Sequence, residues 1–269
     1  MHPLTTPAVT APVASDVVMP LRLVLRAYAM ETRVEALRVL RTPGLSVPFL
    51  LLPVPIYLFF GTILPGSEIA KNPALGSYLF CSWCVYAAMG PAMFGAGCTL
   101  AAEREAGVFR LRRALPSPPG AWLVAKTIVA MAFTALAVIS IGVTARIVGA
   151  TPLSLTQMLV IGLTMVAGAP AFCALGLFVG ARASGSSAPA IINVIFLPML
   201  WLSGLFFPLP GVLEKLVVIW PAFHLNQVAI GLAGVEGFSY VPPTISAAVL
   251  VGMAVLFGGL AIRRLARHG

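Results

Sequence analysis

Charged residues cut this chain into apolar stretches long enough to cross a bilayer, and that spacing limits its possible folds more than any other feature. No Asp, Glu, Lys or Arg occurs from Asn72 to Ala102, from Ile147 to Ala181, from Ala183 to Leu213 or from Gly237 to Ile262. Crossing about 30 Å of hydrocarbon takes about 20 helical residues at 1.5 Å each. The apolar windows predict spans at 46–64, 77–101, 121–146, 155–181, 189–207 and 243–262. Composition closes off the soluble alternative: 59% of residues are hydrophobic and 9% charged, against roughly 25% charged in soluble domains. Four cysteines in 269 residues are too sparse for a disulfide scaffold. The expected fold class is all-α, a polytopic membrane protein with six transmembrane helices.

The basic residues set an orientation. Arg22, Arg26, Arg33, Arg38, Arg41, Arg104, Arg110, Arg112, Arg113, Lys126, Arg182, Arg263, Arg264 and Arg267 fall on one side of these spans, and only Lys71, Arg146 and Lys215 on the other. Cytoplasmic loops concentrate Lys and Arg, so both termini are expected in the cytoplasm. The same rule accounts for the net charge of +9 without nucleic acid. Residues 1–19 lack a basic region leading into an apolar core, so a cleaved signal peptide is not expected; the segment reads as a disordered cytoplasmic tail.

Three regions outside the spans carry information. Residues 20–44 alternate arginines with apolar residues at helical spacing, as in Leu21, Val24, Leu25 and Tyr28, and then Val34, Leu37 and Leu40. They predict a basic amphipathic helix on the membrane surface, stopped at Pro43-Gly44. Residues 101–115 form the dense mid-chain charge cluster and predict a short helix ended by Pro116, with Glu103 and Glu105 in its first turn. Residues 208–233 are apolar but interrupted by Pro208, Pro210 and Pro221, in pieces too short to span. They predict a re-entrant hairpin on the outer side, holding His224.

Catalytic and metal patterns are weak. His2, His224 and His268 are scattered, and Cys81-Ser-Trp-Cys84 has no second ligand pair for a structural zinc. Gly120-Ala-Trp-Leu-Val-Ala-Lys126-Thr127 would be a phosphate loop only if Ala125 were Gly. Lys126 then reads as a cytoplasmic-edge anchor snorkelling toward headgroups. The spans hold almost no ionisable group in their central turns, which argues against a proton-coupled carrier. Asn193, Gln157 and Ser203 are polar residues in or near spans, available to a translocation path or to interhelical bonds. Gly176-x-x-x-Gly180 permits close helix approach, within the chain or between chains.

Taken in order, these parts resemble the membrane subunit of ABC-2 type exporters, which include drug-resistance, polysaccharide and lipid-exporting permeases. The resemblance rests on Glu103-Arg104-Glu105-x-Gly107 continuing through Arg110, Leu115 and Pro116 to Lys126, and on Leu202-Ser203-Gly204-Leu205-Phe206-Phe207-Pro208-Leu209. It implies a permease that is not an enzyme and binds no cofactor itself. Glu103, Arg104, Glu105, Gly107 and Arg110 would couple it to a separate ATPase subunit carrying ATP and Mg. It further implies a homodimer, or a heterodimer with a second permease, in the bacterial inner membrane. The exported substrate would be a lipophilic small molecule, a drug or a lipid-linked molecule. Polysaccharide or glycolipid export and a self-contained secondary transporter are the alternatives.

Overall fold

The computed structural model describes residues 20–109, 111, 118, 120–206, 215–235 and 237–268. Among them the secondary structure is helical throughout, with no strand. The expected tail of residues 1–19 lies outside the described residues.

Helix α1 (Leu21–Leu40) stops at Arg41. Its face of Tyr28, Thr32, Glu35 and Val39 turns toward the protein, whereas Leu21, Leu25, Leu37 and Leu40 stay exposed. Apart from Tyr28, the apolar stripe read from the sequence thus lies largely off the face that packs on the bundle. Three short pieces follow: α2 (Pro43–Leu51), α3 (Pro53–Ile56) and a π-helical turn, Tyr57–Ile63. Prolines at 48, 53 and 55 withhold backbone donors along this stretch. They leave Val47–Ile63 an apolar helix below the length of the spans that follow. After α4 (Gly66–Lys71) comes α5 (Pro73–Gly90), a π-helical turn at Pro91–Gly95, and α6 (Ala96–Glu105). These three form one helix of 33 residues, Pro73–Glu105. Pro91 cannot donate a backbone hydrogen bond, and the widened turn begins there.

The remaining long helices are α7 (Ala121–Val148), α8 (Leu155–Gly180) and α11 (Pro243–His268). Between α8 and α11 lie α9 (Ala188–Leu202) and α10 (Pro221–Ala233). Among the described residues, four helices are long and apolar enough to cross a membrane: Pro73–Glu105, Ala121–Val148, Leu155–Gly180 and Pro243–Arg267. At about 1.5 Å per residue each exceeds the hydrocarbon core. Ala188–Leu202, with 15 residues, is shorter.

Helix α8 is the hub, packed by α5, α6, α7, α10 and α11. Its small residues make this possible. A Cβ added at Gly176 would collide with the Met93 carbonyl, and one at Gly180 with the Gly97 carbonyl. The Gly-x-x-x-Gly pattern thus serves packing within the chain, where backbones touch. Ser154 and Gln157 form a reciprocal cap at the start of α8, and Gln157 Nε2 donates to the Ala233 carbonyl at 2.9 Å. This assigns Gln157 to capping and interhelical bonding.

Candidate functional site

The end of the bundle where α6 stops and α7 starts carries a buried ionic cluster. Glu35 comes from α1, Thr99 and Glu103 from α6, and Lys126 from the second turn of α7; all four are buried. Lys126 Nζ donates to Glu35 Oε1 at 2.7 Å, to Thr99 Oγ1 at 2.8 Å and to Glu103 Oε1 at 3.0 Å. An ammonium has three donors, and all three are used. Arg38, half-buried, pairs with Glu35 Oε2 at 3.2 Å and also with Glu103. Thr99 Oγ1 donates to the Gly95 carbonyl at 2.6 Å, tying the cluster to the π-helical turn. Two carboxylates and two cations balance in charge, which allows them to be buried together.

Glu35 shows the balance. Burial alone would raise its pKa, but the Lys126 ammonium and then the Arg38 guanidinium hold it below its ordinary value. Glu103 Oε2 has no hydrogen-bond partner among the described residues.

Lys126 therefore does not snorkel to headgroups. Its stem and ammonium lie inside the bundle, where two carboxylates meet it. The expected helix over 101–115 is also corrected. Residues 101–105 end a helix that arrives from the span, so Glu103 and Glu105 occupy the last turn of α6, not the first turn of a new one. Gly107 has φ +72° and follows the helix end rather than interrupting an interior. The Ala106 and Gly107 amides close on the Ala102 and Arg104 carbonyls at 3.0 and 3.1 Å. Carboxylates are disfavoured at the negative end of a helix dipole. Lys126 and Arg38 offset this for Glu103. For Glu105 the Gly185 amide does so, donating to its Oε2 at 2.9 Å.

Arg104 completes a latch on the turn between α8 and α9, donating to the Ala181 carbonyl and, at 2.6 Å, to the Ala183 carbonyl. Arg110 and Pro208 lie outside the described residues. Asn193 is exposed on α9, whereas the Ser203 hydroxyl is buried just past the end of that helix, with no hydrogen-bond partner among the described residues. Their separation along the helix, about 15 Å, keeps them from forming one site. Pro221 opens α10, and His224 is buried, its Nδ1 3.2 Å from Ser246 Oγ and its Nε2 2.8 Å from the Val218 carbonyl.

Glu35 and Thr99 were not legible as site residues. The available signal was faint: Glu35 is one of two acids among the arginines of α1 and stands three residues before Arg38.

The family model of the "ABC-2 type transporter" matches residues 28–240, which run from within α1 to beyond α10 and include the whole ionic cluster. The chain belongs to the ABC-2 type transporter family. It is 25% identical over 198 residues to "Putative transport permease YvfS" of Bacillus subtilis (strain 168), covering 72% of this chain and 80% of that protein. Members of this family are membrane transport components and not themselves catalysts. This ABC-2 permease is a multi-pass membrane protein.

Proposed function

We propose that this permease exports a lipophilic small molecule, drug or lipid-linked substrate, driven by a separate ATPase subunit that binds the ATP and Mg. In this reading the six apolar segments, including the shorter Val47–Ile63 and Ala188–Leu202, all cross the membrane. Both termini lie in the cytoplasm of a bacterial cell, as the basic asymmetry favours. Two permease chains, identical or paired with a second permease, line the path. Residues 208–233 form a hairpin dipping into the outer half of the bilayer, since α10 has 13 residues, too few to cross.

The observation that carries the coupling role is the convergence of α1, α6 and α7 on one buried ionic cluster, beside the latch from Arg104 and Glu105 to residues 181–185. Force applied at the 101–115 segment would reach three helices through these contacts. The ATPase would dock there, on Glu105, Gly107 and Arg110.

The test is purification with the ATPase subunit and measurement of substrate-stimulated hydrolysis. Glu105→Ala, at an exposed position, is expected to leave folding intact while hydrolysis loses its response to substrate. Transport by the reconstituted chain without any ATPase would overturn the proposal.

A further inference from the structure

The membrane-facing groove between α7 and α8 holds a cleft of about 440 Å³. That volume lies within the roughly 300–1,000 Å³ typical of small-molecule sites. Its walls are apolar, with Val143 and Ile147 on one helix facing Leu159 and Leu163 on the other. All four are among the exposed hydrophobics of the chain. Arg146 is the one charged residue in the lining and stands at one end of the cleft. From Arg146 down to Ala135 the cleft follows α7 for about 16 Å, half the thickness of a hydrocarbon core of about 30 Å. Its shape is that of a slot running from one interface to the bilayer midplane.

Two glycines keep the slot open. A Cβ at Gly142 would meet only Met158 Cε, at 3.8 Å, and one at Gly162 only Val138 Cγ1, at 3.6 Å. Both are ordinary contacts, so neither glycine is required by helix packing, unlike Gly176 and Gly180. Glycine inside a helix costs about 1 kcal/mol relative to alanine. Retaining two of them where the protein does not need the room leaves space for another occupant. Among the described residues, the Arg146 guanidinium makes one long hydrogen bond, from Nη1 to the Leu153 carbonyl at 3.4 Å. Most of its five N–H donors are thus left over at the mouth of the slot.

We propose that this cleft binds one acyl chain of an anionic phospholipid, whose phosphate sits on Arg146. A guanidinium matches phosphate oxygens in a bidentate fork, and at the membrane interface that contact is partly desolvated. The lipid would be a bound component of the permease, separate from the buried ionic cluster at the opposite end of α7.

The full-length chain, stripped of lipid in detergent and re-incubated with equal phosphatidylglycerol and phosphatidylcholine, provides the test by mass spectrometry of the intact complex. The unmodified protein is expected to retain one phosphatidylglycerol in preference to phosphatidylcholine. Arg146→Gln should lower that preference roughly tenfold, the loss of one charge-assisted contact. Leu163→Trp, which fills the slot from an exposed position, should remove the retained lipid whatever its headgroup. Equal retention of the two lipids by the unmodified protein, or unchanged retention in Leu163→Trp, would overturn the proposal. So would cross-linking of two chains through a cysteine at Leu159, because the occupant would then be a second copy.

Discussion

Helix α7 carries one cation near each end, and the two have opposite fates. Lys126 is buried, with every donor satisfied by Glu35, Thr99 and Glu103. Arg146 is exposed at the rim of an apolar cleft, with, among the described residues, a single long hydrogen bond to a backbone carbonyl. In sequence the two look alike: each is an isolated basic residue at the end of an apolar run, where a long side chain can snorkel. The difference comes from what the neighbouring helices bring to each end. At one end α1 and α6 supply two carboxylates; at the other, α8 lines the cleft with apolar side chains and a glycine. A cation at a span end thus has no fixed role until its partners are placed.

Removing each cation should separate the two ends most strongly. Lys126→Met leaves two buried carboxylates with only Arg38 against them and is expected to cost about 3–5 kcal/mol. Arg146→Met should stay within about 0.5 kcal/mol. Unfolding in detergent, followed by helical circular dichroism, measures both; equal losses would erase the distinction.

The glycines provide the next contrast. Gly176→Ala drives a methyl into the Met93 carbonyl, where overpacking costs about 1–3 kcal/mol. Gly162→Ala meets only ordinary contact and should stabilise by up to about 1 kcal/mol. Opposite shifts in melting temperature are expected, and a Gly162→Ala loss matching that of Gly176→Ala would mean the cleft wall is tighter than its contacts indicate.

The smallest effect is one of pH. Lys126 and Arg38 overcome the effect of burial and lower the Glu35 pKa below its ordinary 4.5. A depressed carboxyl pKa stabilises the fold above the unfolded value, and this stabilisation is lost as pH falls through the folded value. The melting-temperature gap between the unmodified protein and Glu35→Gln should therefore be widest at neutral pH and shrink toward pH 3. A gap independent of pH would show that Glu35 is not ionised in the cluster.

How far the sequence was legible depends on whether a feature is local. The long spans were read closely, since expected limits of 121–146 and 155–181 became Ala121–Val148 and Leu155–Gly180. Length and hydropathy are properties of one segment and need no partner. The helix after the second apolar segment was misread, because nothing local distinguishes a new helix from the last turn of an old one. The mid-chain charges of Glu103 and Glu105 looked like the start of a surface element, yet α6 runs unbroken into them from Pro91–Gly95. Gly107, with φ +72°, makes a left-handed turn at the end of that helix.

By itself the sequence determined the membrane environment, the helical class and the permease family, because charge spacing, hydropathy and motif order are carried by contiguous residues. Only the tertiary structure decided that Glu35, Thr99, Glu103 and Lys126 meet, since Glu35 and Lys126 are 91 residues apart in sequence and no periodicity links them. It likewise decided which glycines serve packing and which leave open space. The physical reason is the same in both cases: burial of a charge and closeness of two backbones are properties of pairs, and the pairs exist only once the helices have docked.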